Sequence, residues 1–299
     1  MRQERKKRKK KKYINLIKKD YPECYESIID GLCKKRMNSI RINTLKIGID
    51  DCLKELDKLN IKYIKQDMSN FSYIVEATNK DLMESDLFKN GKIYLQSISS
   101  QLPPLFLDIE ESIDILDMCA APGGKTSEIQ MIGNNLKSIM AIENDRIRFD
   151  RLKYNLNLLG CKNVNVLKAD SRKLDSFYRF DTILLDAPCS GSGTINLNNT
   201  NELDKFSLKL VINSSKIQKE LLKKALEILK PGHTMIYSTC SILKCENEEV
   251  IKSVLNKNIE LIPLDIKVDL LPSTLENTYT VKPSDKYEGF FIVKLRKIR

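Results

Sequence analysis

From residue 112 to the end of the chain, short apolar runs alternate with segments of helical periodicity. This alternation predicts strands joined by helices, and therefore a parallel sheet with helices on both faces. In such sheets ligands bind beyond the carboxyl ends of the strands, so the residues that follow each run are candidates for a functional site. The runs that we predict as strands are residues 113–119, 138–143, 163–169, 182–186 and 234–240.

A long amphipathic helix is predicted before the last of these strands. Pro231-Gly232 follows its apolar stripe and should stop the helix. The stripe consists of Ile217, Leu221, Leu222, Ala225, Leu226 and Leu229.

The first third of the chain has a different pattern, which is typical of a small α+β unit. The elements predicted there are helices at 13–30 and 48–59 and strands at 39–44, 73–76 and 92–96. At 299 residues the chain is long enough for two domains. We therefore predict a basic arm at 1–12, an N-terminal α+β domain at 13–108 and an α/β catalytic domain at 109–299.

The formal net charge of +11 is concentrated at the N-terminus. Residues 1–12 contain nine Lys or Arg and one Glu, a net charge of +8, which leaves +3 for residues 13–299. Such a run cannot bury apolar surface and predicts a solvated, disordered arm. Arms of this kind either bind nucleic-acid phosphates or only keep a protein soluble, and the sequence leaves both interpretations open.

Several classes of protein are disfavoured by the sequence. No apolar stretch of useful length follows the N-terminal charges, and no window approaches the roughly 18–20 apolar residues of a membrane span. We therefore expect a soluble, cytoplasmic protein that makes no membrane contact and acts as a monomer. The eight cysteines include no CxxC pair and His233 is the only histidine, so we expect reduced thiols and no metal site.

The ends of the first three predicted strands suggest a nucleoside site. The first strand runs into a turn rich in small residues, the second ends at Glu143 and the third at Asp170. A Gly-rich turn lets a ligand approach the backbone, Glu143 can accept the hydroxyls of a ribose, and Asp170 can bond an adenine edge. Each acid alone is more often an ordinary solvated strand end, but the three together favour a nucleoside. The turn matches neither a P-loop nor GxGxxG, which favours S-adenosylmethionine over a dinucleotide.

The last two predicted strands bring reactive groups to the same edge. Asp186 and Cys189 follow one strand, and Cys240 ends the other. Carbon 5 of cytosine is a poor nucleophile until a thiolate adds to carbon 6, and a carboxylic acid at ring nitrogen 3 would stabilise the charge that develops. Asp186 could fill that role if protonated, and a second thiol could help the reaction. The alternative for each cysteine is burial as a small hydrophobic residue, which we expect for Cys24, Cys33, Cys52, Cys161 and Cys245.

Three motifs together closely resemble the Sun-type family of RNA 5-methylcytosine methyltransferases, which includes nucleolar proteins and bacterial ribosomal-RNA enzymes. The resemblance spans about residues 39–299. The motifs are CAAPGGKT at 119–126, DAPCSGSG at 186–193, and YSTCS at 237–241 followed by Glu246-Asn247-Glu248.

The resemblance implies a Rossmann-like, class I S-adenosylmethionine-dependent methyltransferase domain and a small N-terminal domain similar to an RNA-recognition fold. It implies that Cys240 attacks the base and that Cys189 assists product release. It also implies that RNA, ribosomal or transfer, is the partner. The residues implied in cofactor binding are Cys119, Ala120, Ala121, Pro122, Gly123, Gly124, Lys125, Glu143, Asp170 and Asp186.

Other residues match the family with less specific meaning. Arg148 matches a family arginine, although a salt bridge on a helix surface explains it equally well. Arg41-Ile42-Asn43 and the pair Gln96 and Ser99 match segments of the family's N-terminal unit, which either contacts RNA through polar groups or only packs on the catalytic domain.

Two other functions remain open. An amine methyltransferase would use the same cofactor strands, but it needs no paired thiols and typically has an acidic or amide Pro-Pro motif where this chain has Ala187-Pro188-Cys189. An RNA-assembly factor without catalysis would keep the fold and the basic tail, although every predicted reactive group is present.

Overall fold

The computed structural model describes residues 2–199, 201–204 and 206–299. Within these residues the strands form a small antiparallel sheet, in the order β2-β3-β1-β4, and a larger mixed sheet. The strands are β1 (Asn38–Ile42), β2 (Tyr63–Lys65), β3 (Ser72–Val75), β4 (Ile93–Leu95), β5 (Asp114–Asp117), β6 (Ser138–Glu143), β7 (Val164–Lys168), β8 (Phe180–Asp186), β9 (Leu229–Thr239), β10 (Ile259–Ile262), β11 (Leu270–Leu271), β12 (Tyr279–Val281) and β13 (Phe290–Lys297).

The larger sheet has the order β11-β12-β13-β9-β8-β5-β6-β7, with β10 paired to β13. Strands β9, β8, β5, β6 and β7 are parallel, as predicted. Strand β13 pairs antiparallel with β9, and β10, β12 and β11 are added through further antiparallel pairs. The chain moves outward from β5 to β7 and then returns to β8, so β5 and β8 flank the topological switch point. Ligands bind beside such a point in open α/β sheets.

The helices cover both faces of the larger sheet. Alternate residues of β8 point to opposite faces: Ile183 and Leu185 pack against α9, whereas Leu184 packs with Leu102 and Ile129 of α6 and α7. The helices are α1 (Arg2–Asp20), α2 (Tyr25–Cys33), α3 (Ile49–Lys58), α4 (Asn79–Glu84), α5 (Asp86–Lys89), α6 (Leu102–Leu105), α7 (Gly124–Ile132), α8 (Arg146–Leu158), α9 (Leu208–Ile228) and α10 (Glu248–Lys252).

The predicted long helix is α9, which ends at Ile228 rather than at Pro231 because the chain enters β9 at Leu229. No helix among the described residues has a stretch long and apolar enough to cross a bilayer.

The predicted disordered arm is corrected by the structure. Residues 2–12 continue helix α1, and residue 1 lies outside the described residues. Lys and Arg are good helix formers, and one face of α1 is held against the catalytic domain. Tyr13 and Ile17 are fully buried there, Lys9 donates to the carbonyl oxygen of Asp204 at 2.5 Å, and Lys10 donates to that of Leu197 at 3.1 Å.

The single helix predicted at 13–30 is two helices in the structure. Helix α1 ends at Asp20 and α2 begins at Tyr25, because Pro22 lacks a donor N–H and cannot continue α1. Both helices pack on the catalytic domain, where Tyr21 and Leu32 join a cluster with Ile242. The first two helices thus contact the catalytic domain, although they precede the small sheet in sequence. The predicted domain boundaries, at residues 12 and 108, stay predictions.

Candidate active site

Two connected cavities lie at the carboxyl edge of the parallel strands. The first has a volume of about 730 Å³ and the second about 330 Å³. Both are lined by Cys119, Ala121, Asp186 and Cys240, so these residues stand where the cavities meet. Volumes of this size are typical of small-molecule sites.

The predicted cofactor residues line these two cavities with one exception. Glu143 and Asp170 lie in the first cavity, and Ala120, Pro122, Gly124 and Lys125 lie in the second. Gly123 lines neither; its φ of 107° is left-handed, and it forms the turn that opens α7. A Cβ atom on Gly124 would lie 2.9 Å from Cε1 of Tyr94, so the close approach of β4 to this turn requires glycine.

Glu143 is held beside the glycine-rich turn. One of its carboxylate oxygens accepts a hydrogen bond from the backbone N–H of Asp145 at 2.8 Å, and the other lies 3.3 Å from Nη1 of Arg148. Arg148 also donates to the carbonyl oxygen of Ala121 at 2.8 Å. The arginine therefore ties the end of β6 to the turn after β5, which is more than a surface salt bridge.

Asp170 is bound by the arginine that follows it. Nε and Nη2 of Arg172 donate to the two carboxylate oxygens at 3.0 and 2.7 Å. These hydrogen bonds lower the pKa of Asp170, so the carboxylate stays ionised at neutral pH. Arg172 lines the first cavity too, although the sequence pattern gave no reason to select it.

A buried ion pair joins the two cavities. Nζ of Lys125 donates to the Asp186 carboxylate at 2.7 Å and to the hydroxyl of Ser100 at 2.6 Å. Ser238 donates to the other oxygen of Asp186 at 2.7 Å. Burial lowers the pKa of Lys125, but attraction to Asp186 and their hydrogen bond outweigh burial and raise it. The lysine is therefore charged and lies against the carboxylate of Asp186.

The two predicted cysteines lie side by side. Their sulfur atoms are 2.7 Å apart, and both residues line the first cavity. The hydrogen bond to Cys240, together with burial, raises the pKa of Cys189 well above its usual value. Cys189 therefore keeps its proton and can donate it to the sulfur of Cys240.

Backbone contacts set the distance between the loops that carry the cysteines. The N–H of Gly193 donates to the carbonyl oxygen of Cys240 at 2.9 Å. A Cβ atom on Gly193 would lie 1.8 Å from the carbonyl oxygen of Gly289, so this position has no room for any side chain. The second and third motifs are thereby packed against the start of β13.

Half of the residues that line the second cavity come from outside the three motifs. Tyr94, Gln96 and Ser100 reach it from the N-terminal part of the chain, and Phe290 reaches it from β13. Nζ of Lys125 lies 5.5 Å from the centre of the Phe290 ring. Only the match of Gln96 to the family offered a sequence signal for this wall.

The arginine and asparagine of β1 are buried at the interface between the two domains. Arg41 is fully buried and donates to the hydroxyl of Ser127 in α7 at 2.6 Å. Asn43 is 2% exposed and donates to the carbonyl oxygens of Gly91 and Leu159. These side chains join the domains and have no free surface with which to contact RNA.

Of the five cysteines expected to be buried, Cys52 is buried and the other four are partly buried beside apolar side chains. Cys24, Cys33 and Cys245 lie against the cluster under α1, Cys52 lies in the core of the small sheet, and Cys161 packs beside α8. Within the part of the chain that the structure describes, no group of His, Cys, Asp and Glu side chains could hold a metal ion.

Two family models match the chain. One, described as 16S rRNA methyltransferase RsmB/F, matches residues 104–296. The other, described as the ferredoxin-like domain of RsmF/B-like methyltransferases, matches residues 12–78.

Curated relatives cover most of the chain. Ribosomal RNA small subunit methyltransferase F of Aeromonas salmonicida is 31% identical over 280 residues, which are 89% of this chain and 59% of the relative. Probable ribosomal RNA small subunit methyltransferase B of Coxiella burnetii is 33% identical over 302 residues, covering 95% of this chain and 67% of the relative. The chain thus spans 59 to 67% of the length of these two relatives.

Solved structures share the fold. A methyltransferase homolog protein from Pyrococcus horikoshii aligns with a TM-score of 0.83 and 32% identity, covering 95% of this chain and 93% of that chain. NSun6 from the same organism, crystallised with SFG, aligns with a TM-score of 0.83 and 24% identity over 97% of both chains. The predicted class I methyltransferase fold with a small N-terminal α+β domain is confirmed.

Proposed function

Since the chain belongs to the RsmB/F family of 16S rRNA methyltransferases, we propose that it forms 5-methylcytosine in RNA, with Cys240 as the nucleophile. The observation that carries this proposal is the position of the Cys240 sulfur beside Cys189, at the junction of two cavities that also share Asp186. An N-methyltransferase has no need of two adjacent thiols at that position.

The first cavity fits S-adenosylmethionine, which is the cofactor of this fold and supplies the methyl group when bound. Glu143 lies there with Cys119 and Ala121 from the turn after β5, and Asp170 follows the neighbouring strand. One carboxylate oxygen of Asp117, which lines the second cavity beside Cys119, is buried without a hydrogen-bond partner among the described residues. Such an atom is costly unless a ligand or a water molecule donates to it, which supports a polar ligand at this end of the sheet.

The second cavity is the proposed site of the target cytosine. Tyr94 and Phe290 provide aromatic surface, and Lys125 and Asp186 provide charged groups beside the Cys240 sulfur. A base must leave its stack to reach a thiol inside a cavity, and aromatic surface compensates for the lost stacking.

The proposed chemistry assigns one step to each reactive side chain. The Cys240 thiolate adds to carbon 6 of cytosine, which moves the electrons of the carbon 5–carbon 6 double bond to carbon 5. This addition places negative charge in the ring. The positively charged ammonium group of Lys125, in its ion pair with Asp186, stabilises that charge. After carbon 5 has gained a methyl group, its proton passes to a water molecule in the cavity. The electrons of that carbon–hydrogen bond re-form the carbon 5–carbon 6 double bond as the sulfur–carbon 6 bond breaks. Cys189 then donates a hydrogen bond to the departing thiolate.

The substrate proposed is ribosomal RNA, in keeping with the relatives' names, with transfer RNA as the alternative, and the proposed location is the cytoplasm. Purified protein would be incubated with radiolabelled S-adenosylmethionine and total RNA, followed by digestion to nucleosides. We expect labelled 5-methylcytosine. Labelled amine products without 5-methylcytosine would replace the proposal with an N-methyltransferase, and unlabelled RNA would favour an assembly factor.

A further inference from the structure

Glu246 bridges the two loops that carry the cysteines. Its carboxylate accepts hydrogen bonds from the backbone N–H of Ser190 at 2.7 Å and from the Ser190 hydroxyl at 2.5 Å. The same carboxylate accepts a hydrogen bond from the hydroxyl of Ser241 at 2.7 Å. Ser190 directly follows Cys189 and Ser241 directly follows Cys240, so one side chain holds the residue next to each thiol.

Glu246 cannot itself contact the base or the cofactor. Its side chain is fully buried, and it lines neither of the two cavities. Burial raises its pKa, although the hydrogen bonds from Ser190 and Ser241 act in the opposite direction. Burying a carboxyl group costs desolvation free energy, which an apolar side chain of the same size would avoid. The burial of Glu246 with three hydrogen-bond donors therefore indicates a specific structural role.

We propose that Glu246 is a positioning residue that fixes the Cys189 side chain against the Cys240 sulfur. Both hydrogen bonds donated by Ser190 go to Glu246, whereas the Cys240 loop is also held by the N–H of Gly193. Loss of Glu246 therefore releases mainly the Cys189 side of the pair. The effect on methylation rests on the proposed function, but the effect on the distance between the thiols does not.

The charge of Glu246 also acts on the first cysteine. The hydrogen bond to Cys240 and burial are the main causes of the raised pKa of Cys189, and repulsion from Glu246 raises it further. Replacing Glu246 by Gln removes that repulsion. The pKa of Cys189 should then fall, a change that a merely space-filling residue would not cause.

The test compares Glu246→Gln with Glu248→Gln. Glu248 is a matched control because it is equally buried and two residues away, but its carboxylate faces Ser273 at 3.4 Å. The full-length protein would be equilibrated in glutathione redox buffers, and the Cys189–Cys240 disulfide would be quantified by mass spectrometry. The equilibrium constant for this disulfide measures the effective concentration of the two thiols relative to each other. We expect it to fall about 10- to 100-fold in Glu246→Gln. The Glu248→Gln variant should match the wild type.

Two further measurements complete the test. In a Cys240→Ala background, the pH dependence of Cys189 alkylation should move to lower pH when Glu246 is also replaced by Gln. In the methylation assay, kcat should fall while KM for RNA stays unchanged. If Glu246→Gln unfolds at the wild-type temperature and keeps the wild-type disulfide equilibrium, the positioning role is refuted.

A second variant covers the case in which Glu246→Gln does not fold. Ser190→Ala combined with Ser241→Ala removes two of the donors and leaves the carboxylate in place, and it should weaken the disulfide equilibrium in the same way. A wild-type equilibrium in this variant would likewise overturn the proposal. If the wild type forms no 5-methylcytosine but the thiol measurements come out as expected, the proposed function fails and the positioning role stands.

Discussion

The sulfur of Cys189 lies 2.7 Å from the sulfur of Cys240, so the two thiols are in direct contact. The two thiols contact each other but occupy different positions relative to the cavities. Cys240 lies at the junction of both cavities, whereas Cys189 lines only the first. The pKa of Cys189 is raised, so this thiol stays protonated. This asymmetry supports Cys240 as the attacking group and Cys189 as the proton-bearing partner.

The asymmetry predicts opposite behaviour for the two single-cysteine variants. Cys189→Ala should still attack the base but release it slowly, because no thiol donates to the departing sulfur, and it should accumulate a covalent protein–RNA complex. Cys240→Ala should form none. Denaturing gels of the variants mixed with RNA and S-adenosylmethionine would show the complex as a slowly migrating band. The same band in both variants, or in neither, would contradict the assignment.

Lys125 is predicted to matter for catalysis more than for folding. Lys125→Met removes the donor that pairs with Asp186 and leaves that carboxylate with Ser238 as its remaining donor. The single-turnover rate of methylation should fall by about 100-fold or more, as when a preorganised donor is lost from an active site. Ser100→Ala is the control, because it removes the other partner of Lys125 and keeps the ion pair. A rate for Lys125→Met within threefold of the Ser100→Ala rate would count against this role.

Glu128 should make the stability of the protein depend on pH. Burial raises its pKa from 4.5 to about 7, although Arg41 and Gln96 oppose the rise. The folded protein then binds this proton more tightly than the unfolded chain. The free energy of unfolding should therefore fall as the pH rises from about 4.5 to about 7, by up to about 3 kcal/mol from this group.

Urea unfolding at pH 5 and at pH 7.5 would measure that dependence. Glu128→Gln carries no titrating proton at this position, so its free energy of unfolding should change less between the two pH values than that of the wild type. Glu84→Gln, at an exposed site, should behave like the wild type. An identical pH dependence in all three proteins would show that Glu128 is ionised in the folded state throughout.

The outward face of α1 is predicted to bind RNA phosphates. Lys7, Arg8, Lys11 and Lys12 are exposed, and the opposite face of the helix is fixed to the catalytic domain. Replacing these four residues by Gln should weaken RNA binding. It should also make the slope of log K against log salt concentration shallower by up to about 3, since each phosphate contact contributes roughly 0.7–0.9.

The control is a second variant in which four exposed lysines outside α1 are replaced by Gln. It changes the net charge of the protein by the same amount as the α1 variant. Its positions are exposed lysines of the small domain: Lys54, Lys62, Lys80 and Lys89. Equal loss of binding in both variants, measured by filter binding over a range of salt concentrations, would show that only the total charge matters.

Local sequence patterns were sufficient for the five parallel strands and for three strands of the small sheet, whereas β2 (Tyr63–Lys65) was not predicted. The end of β6 at Glu143 and of β8 at Asp186 follows directly from apolar runs that stop at a polar residue. By contrast, no strand was predicted after residue 240, although β10 to β13 complete the sheet there. Strand β13 is apolar enough to be recognised as a strand, but its antiparallel place beside β9 depends on a distant pairing.

The amino-acid sequence by itself determined which residues stand at the strand ends, because a strand's period and its boundaries are local properties of the chain. Only the tertiary structure decided what those residues contact. It pairs Lys125 with Asp186, buries Arg41 at an interface and places Glu246 between two thiols. These relationships join residues far apart in sequence, and they depend on how side chains fill space and on which charges lose their water when the two domains and their loops pack together.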